Sequence, residues 1–203
     1  MLSILLLLSL GAEPARCKPL DSPPGMRVCA QPSPSGGVLQ LRSTGMIAAP
    51  PERVWSVLKS LDDYASFMPF TVEARVVRRE GEKVVFFYSR IQPPLVSARD
   101  YFIKLVDESQ WNDGKGFLKV TWTVADPSGK MALADDVVHI ATNSGSWLLE
   151  PRDAGKSTFL AYDILIVPGG SIPDVIANRA NAMSVQSVFQ AVKRRAEQLP
   201  EGR

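Results

Sequence analysis

The chain holds one histidine and two cysteines among 203 residues, so few groups are available for chemistry. His139 lies in Asp135-Asp136-Val137-Val138-His139-Ile140, where alternation puts it with Val137 on one face of a strand. It reads as a satisfied or exposed strand histidine rather than a general base. The adjacent carboxylates Asp135-Asp136 open a strand, and Asp62-Asp63 interrupts a helical region. Both read as turn residues rather than an acid/base dyad. Catalysis needs a nucleophile with a base, a carboxylate pair or a metal. A structural zinc site takes four ligands, more than two cysteines and one histidine supply. Neither Gly169-Gly170 nor Gly114-x-Gly116 is followed by the Gly-Lys-Ser/Thr of a phosphate loop. The expectation is a protein without metal, cofactor or catalytic residue.

Arg99 and Asp100 form the most informative charged pair. Alternation puts Arg99 on the face of Tyr101, Ile103 and Leu105, with Asp100 on the other. A guanidinium among apolar walls can grip a carboxylate or phosphate oxygen through its fork of donors. At a strand end the same side chain can instead bond nearby carbonyls, and both readings stand. Tyr88, Tyr101, Trp122 and Tyr162 are candidates to line a pocket, since their polar tips need partners when buried. Both faces are apolar from Lys83 to Gln92, so alternation alone does not orient Tyr88.

A succession of strands must position these residues. Val38 to Ile47 reads as a first strand, ended by Pro50-Pro51, which open a helix carrying Val54, Leu58 and Leu61 at i, i+4, i+7. Tyr64 to Pro69 completes a second short helix. Six strands follow, over 71–79, 83–92, 99–106, 117–124, 137–150 and 157–167. In the first of them Val72, Ala74 and Val76 share a face; the fifth is broken by a bend at Asn143-Ser144-Gly145. Pro168-Gly169-Gly170-Ser171-Ile172-Pro173 then breaks the chain before a helical pattern from Asp174 to about Leu199. Strand, two helices, six strands and a long helix fit an α+β antiparallel sheet with helices on one face.

The formal charge of +2 is too small for a nucleic-acid footprint, and Lys193-Arg194-Arg195 complements a helix C-terminus. Leu2 to Gly11 is an apolar run too short for a bilayer, which takes about 20 residues, and suits a signal peptide over residues 1–12. That implies a secreted or periplasmic protein, or a membrane-anchored one if the run is uncleaved. Residues 13–37 carry Pro14, Pro19, Pro23, Pro24, Pro32 and Pro34 and read as a linker before a domain over 38–203. Cys17 and Cys29 either form a disulfide there or remain free thiols.

Four stretches carry a family resemblance: Pro51 to Trp55 through Tyr64-x-x-Phe67-Met68-Pro69, Ser97-Ala98-Arg99-Asp100-Tyr101, Gly145 to Pro151, and Pro168 to Pro173. In that order they resemble the START-like branch of the helix-grip superfamily, which spans birch-pollen-allergen-like folds, lipid-transfer domains, and polyketide cyclases and aromatases. The resemblance implies a seven-stranded curved antiparallel sheet around the C-terminal helix, enclosing an apolar cavity. Its implied partner is a lipid, sterol-like or other hydrophobic molecule, held for transport, storage or sensing by a monomer that touches membranes transiently. A cyclase/aromatase- or isomerase-like enzyme is the alternative on this fold, and a membrane-anchored adaptor a third.

The C-terminal helix carries two apolar stripes. Ile172, Val175, Ile176, Ala180 and Met183 form one; Val185, Val188, Phe189, Val192, Ala196 and Leu199 form the other. At about 100° per residue they are displaced by more than a right angle. This predicts a bend, or a change of neighbour, near 181–184, with Met183 against ligand in a lid half hinged at Gly169 and Gly170, and Phe189 in a half bolted to the sheet.

Overall fold

A computed structural model describes residues 17–33, 37–93, 97–126 and 137–199. The predicted signal segment and Asp135-Asp136 lie outside these residues. In chain order the elements are β1 (Lys18–Leu20), β2 (Met26–Pro32), β3 (Leu39–Ile47), α1 (Pro51–Lys59), a 3-10 turn (Leu61–Asp63), α2 (Tyr64–Phe67), β4 (Thr71–Glu80) and β5 (Val84–Ile91). Then come β6 (Arg99–Asp107), β7 (Gln110–Asn112), β8 (Lys115–Val124), β9 (Val138–His139), β10 (Thr142–Arg152), β11 (Ser157–Val167) and α3 (Asp174–Gln198).

One sheet runs in the order β1-β2-β3-β11-β10-β8-β6-β5-β4, with β7 on β8 and β9 beside β6. Every pair is antiparallel except β6 with β9. The seven long strands expected from alternation are β3, β4, β5, β6, β8, β10 and β11. Helices α1 and α3 pack on the inner face, and one apolar cluster joins them to it.

The linker expected over 13–37 is corrected by β1 and β2. Met26, Val28 and Ala30 alternate inward and are buried, and β2 pairs with β3 from Met26↔Gly45 to Pro32↔Leu39. The prolines are compatible with this because of where they fall. Pro19 sits on the edge strand, Pro23 in the connecting turn and Pro32 at a strand end, where a missing N–H costs little. Cys17 and Cys29 are joined in a disulfide that fastens β1 to β2.

Two strand expectations also change. In β4, register shifts at Thr71/Glu73 and Val76/Arg78 interrupt alternation, so Val72 turns outward and is 56% exposed. The fifth predicted strand divides at Ile140-Ala141 rather than at Asn143-Ser144-Gly145, which lies within continuous β10. Its first piece, β9, instead pairs with the start of β6, Arg99↔Val138 and Asp100↔His139.

The helix α3 is continuous through 181–184, so the predicted bend is absent. Its buried stripe runs Ala177, Asn181, Val185, Phe189, Val192, Ala196, at steps of three or four residues. The first half docks by amides rather than by its large apolar residues. Asn178 accepts from the Leu39 N–H at 2.8 Å and donates to the Gly37 carbonyl, and Asn181 donates to the Ile166 carbonyl at 2.9 Å. With those contacts made, Val175, Ile176 and Met183 are left facing outward, at 82, 57 and 63% exposed.

Candidate functional site

The inner surface of the sheet is covered unevenly. Helix α3 packs chiefly on β3, β11 and α1. There Leu41, Ile47 and Leu160 are wholly buried. Over β4, β5, β6 and β8 the inward side chains Val76, Val85, Tyr101, Leu105 and Val120 belong to the same apolar cluster yet remain only partly buried. Apolar groups on an inner face stay partly accessible where the second layer does not reach them. That half of the sheet presents a partly accessible apolar surface beside α3.

At its boundary stand three aromatic rings. Tyr162 stacks on Trp147 at 3.9 Å between centroids and 9° between planes, and on Trp122 at 6.0 Å and 30°. Trp147 and Tyr162 are paired residues of β10 and β11, which places their side chains together on the inner face. Trp122 reaches them because its strand partner is Gly145. A Cβ on Gly145 would lie 2.4 Å from the Trp122 ring and 2.2 Å from the Asp163 carbonyl. The indole N–H then donates to Asn143 Oδ1 at 2.9 Å, which locks the ring. A glycine inside a strand marks such close approaches, so Gly145 was a legible signal that a reading as a bend concealed.

Three phenols face this interior. Burial pushes the Tyr162 and Tyr64 hydroxyls well above the usual tyrosine range, and Tyr101 adds to both. Burial raises Tyr101 as well, against a hydrogen bond with Ser89 that lowers it. All three are neutral donors at physiological pH. The Tyr64 hydroxyl donates to the Leu58 carbonyl at 2.7 Å. Of the residues singled out in the sequence, Tyr101, Trp122 and Tyr162 thus stand together on the inner face.

Arg99, Tyr88 and Met183 are not pocket residues. Arg99 is 4% exposed, and its guanidinium donates to the Pro168 carbonyl through Nε at 3.0 Å and to the Ser97 carbonyl through Nη1. It latches the loop entering α3 to the start of β6, which is the second of its two readings. Just beyond that latch Gly169 and Gly170 adopt left-handed φ of 70° and 69°, so the turn expected to hinge α3 depends on glycine at both positions.

Tyr88 lies on the convex face with Phe86 and Phe102, because its neighbour Phe87 takes the inward position. Its hydroxyl donates to Asp100 Oδ2 at 3.2 Å, and its pKa is pushed up to about 12 by burial and then by the Asp100 charge. Asp100, 1% exposed, also holds His139 Nδ1 at 2.8 Å. Met183 faces outward for the reason given above.

A separate hollow of about 420 Å³ lies on the convex face, lined by Gln31, Gln40, Arg42, Lys119, Thr121 and Asp163 among others. Arg42 and Asp163 pair across it at 3.0 Å, so its lining does not suit apolar cargo. Among the described residues no cluster of three histidine, cysteine or acidic side chains can hold a metal. Nor is any described helix long and apolar enough to cross a membrane.

The fold matches solved lipid-transfer structures. A fragment of the STAR-related lipid transfer protein from Xanthomonas axonopodis superimposes with TM-score 0.78 at 20% identity, covering 90% of this chain and 99% of that one. Human StAR-related lipid transfer protein 5 gives TM-score 0.82 at 15% identity, covering 92% and 88%. The Zhui aromatase/cyclase from Streptomyces sp. R1128 gives 0.55 at 17% identity, covering 78% and 93%. No curated protein sequence matches the chain. The family profile described as polyketide cyclase/dehydrase and lipid transport matches residues 47–193, most of the folded region. On that match and on its helix-grip architecture, the chain belongs to this START-like family.

Proposed function

We propose that the chain is a carrier or sensor of a hydrophobic small molecule held in the recess between α3 and the strands β4 to β8. The observation that carries this is the partly accessible apolar inner face, walled by Val76, Val85, Tyr101, Leu105 and Val120. Ligand sites are concave and mostly apolar with a few placed polar groups, and this recess fits that description. Absence of chemistry at the ligand is supported by the placement of His139. Its carboxylate partner Asp100 is on the convex face, so that pair does not face the recess. The Cys17–Cys29 bridge and the apolar run Leu2 to Gly11 support an exported protein working in an oxidising compartment.

Loading takes place at a bilayer, through the outward stripe of α3. Val175, Ile176 and Met183 lie within about 100° of one another around the helix, with exposed Arg179 among them. Burial of one such apolar side chain is worth about 1.5–3 kcal/mol, and anionic lipid attracts the guanidinium. The wild-type protein is expected to accelerate transfer of a fluorescent apolar ligand between vesicles. Changing both Val175 and Met183 to Asp should slow transfer at least about tenfold while leaving the melting temperature unchanged. Undiminished transfer by that variant would remove α3 from loading. No acceleration by wild type, with sterol, fatty acid or phospholipid, would remove the carrier function itself.

A further inference from the structure

The convex face of the sheet carries its own concavity, the hollow of about 420 Å³, a size within the about 300–1,000 Å³ of small-molecule sites. Strand register aligns Arg42 of β3, Asp163 of β11, Ser146 of β10 and Thr121 of β8 in one row across the sheet. Strands about 4.8 Å apart spread that row over about 14 Å. Ser146 and the backbone at Gly145 keep its middle low, while the longer side chains Gln31, Gln40 and Arg42 flank one side and Lys119 the other. The Cys17–Cys29 bridge stands at the β2 side, where Cys29 is the cross-strand neighbour of Arg42.

The charges around this hollow are balanced. Arg42 pairs with Asp163, and Lys119 pairs at 2.7 Å with Glu108, which also accepts from the Thr121 hydroxyl at 2.9 Å. An entering anion would meet Asp163 or Glu108 beside either cation, and an entering cation would meet Arg42 or Lys119 beside either carboxylate. Hydrogen-bonding capacity remains. Both bonds from Arg42 to Asp163 leave from Nη1, so the Nε and Nη2 edge of its fork is not used by them. Gln31 Nε2 donates to Gln40 Oε1 at 3.0 Å, which leaves the Gln40 amide as donor and the Gln31 oxygen as acceptor. Burial pushes the Asp163 carboxyl up, against the Arg42 charge and a hydrogen bond with Ser146, and its two oxygens offer about four acceptor positions in all.

We propose that this hollow binds an uncharged polyhydroxylated molecule, a sugar of one or two rings. A hydroxyl both donates and accepts. Neighbouring hydroxyls on one ring therefore match donors set beside acceptors, Gln40 and Arg42 with Gln31 and Asp163, and bring no charge that either ion pair would repel. The low floor at Ser146 gives the ring its place, and the Thr121 hydroxyl lies at the far end of the row. This site is separate from the carrier function, since the hollow and the recess are on opposite faces of the sheet.

The test follows amide chemical shifts of the isotopically labelled protein with three probes that share a sugar ring and differ in charge: glucose, glucuronate and the ammonium form of glucosamine. Glucose is expected to give saturable shifts at Arg42, Ser146 and Asp163. It should bind about threefold or more tighter than either charged probe, the size of one partly exposed charge contact. Asp163→Asn should weaken glucose about tenfold, and Ser146→Leu, which fills the floor, should abolish saturation, with both melting temperatures retained. Should Asp163→Asn fail to fold, Gln40→Leu supplies the reading instead, as a smaller loss. Absence of saturable shifts with glucose, or shifts confined to the inner face, would overturn the site. So would tighter binding of glucuronate or glucosamine, or undiminished binding of glucose by the folded variants. None of these outcomes bears on the carrier function, which the vesicle assay tests.

Discussion

Phe189→Ala is expected to cost about 3–5 kcal/mol of folding stability, the range for removing a fully buried aromatic ring. Phe189 has no exposed surface and sits midway along the buried stripe of α3, between Val185 and Val192. Its ring rests over Gly45 of β3, so close that a Cβ on Gly45 would lie 2.9 Å from Phe189 Cζ. The strand therefore has no side chain there that could move into the hole, and the cavity term stays close to its full value. At about 2–4 °C per kcal/mol for a chain of this size, the melting temperature should fall by about 6–20 °C. Val188→Ala, one residue away on a half-buried position, should cost clearly less. Denaturant titration of both variants checks the pair, and a loss below about 1 kcal/mol at Phe189 would show that α3 is not bolted to the sheet where its stripe indicates.

The second large effect is expected from the disulfide. Replacing Cys17 and Cys29 together by serine should lower stability by about 3 kcal/mol in the chain-entropy account of a loop of this size. The bond joins residues 12 apart and fastens a three-residue edge strand that has little else to hold it. Without it β1 should fray, leaving β2 as an unpaired edge open to association with other chains. Urea denaturation together with size-exclusion chromatography reads both consequences. An unchanged midpoint and a monomeric profile would mean that β1 is held by its backbone ladder alone.

Alternation and breakers made the fold legible where each strand has one clearly apolar face. Phe117 to Val124 and Ser157 to Val167 are such strands, and β8 and β11 follow them closely. Legibility failed where another effect overrode the pattern. Proline content over 13–37 suggested a linker, but Met26, Val28 and Ala30 hold the period-two pattern that seats β2 beside β3. In β5 both faces are apolar because a second cluster of Phe86, Tyr88 and Phe102 covers the convex side. Alternation there fixes which residues share a face but not which face is inward, and Tyr88 was misplaced for that reason.

Reading α3 by hydrophobicity alone had a similar cost. Its first half is seated by Asn178 and Asn181, which a hydrophobic stripe does not count, so Met183 was assigned to the ligand when it faces outward. Among the site residues Tyr101, Trp122 and Tyr162 were visible as inward aromatics. Ser89 and Asn143 were not, since their importance lies in cross-strand neighbours that no local pattern displays.

The central claim is that the recess beside α3 holds a hydrophobic molecule. Native mass spectrometry of the protein, exposed to a lipid-rich extract and then repurified, tests it most directly. The expected spectrum shows a single small-molecule adduct per chain, released on collisional activation and recovered in organic solvent as a hydrophobic molecule. A spectrum showing only the bare polypeptide mass, from protein whose melting curve shows that it is folded, would contradict the account.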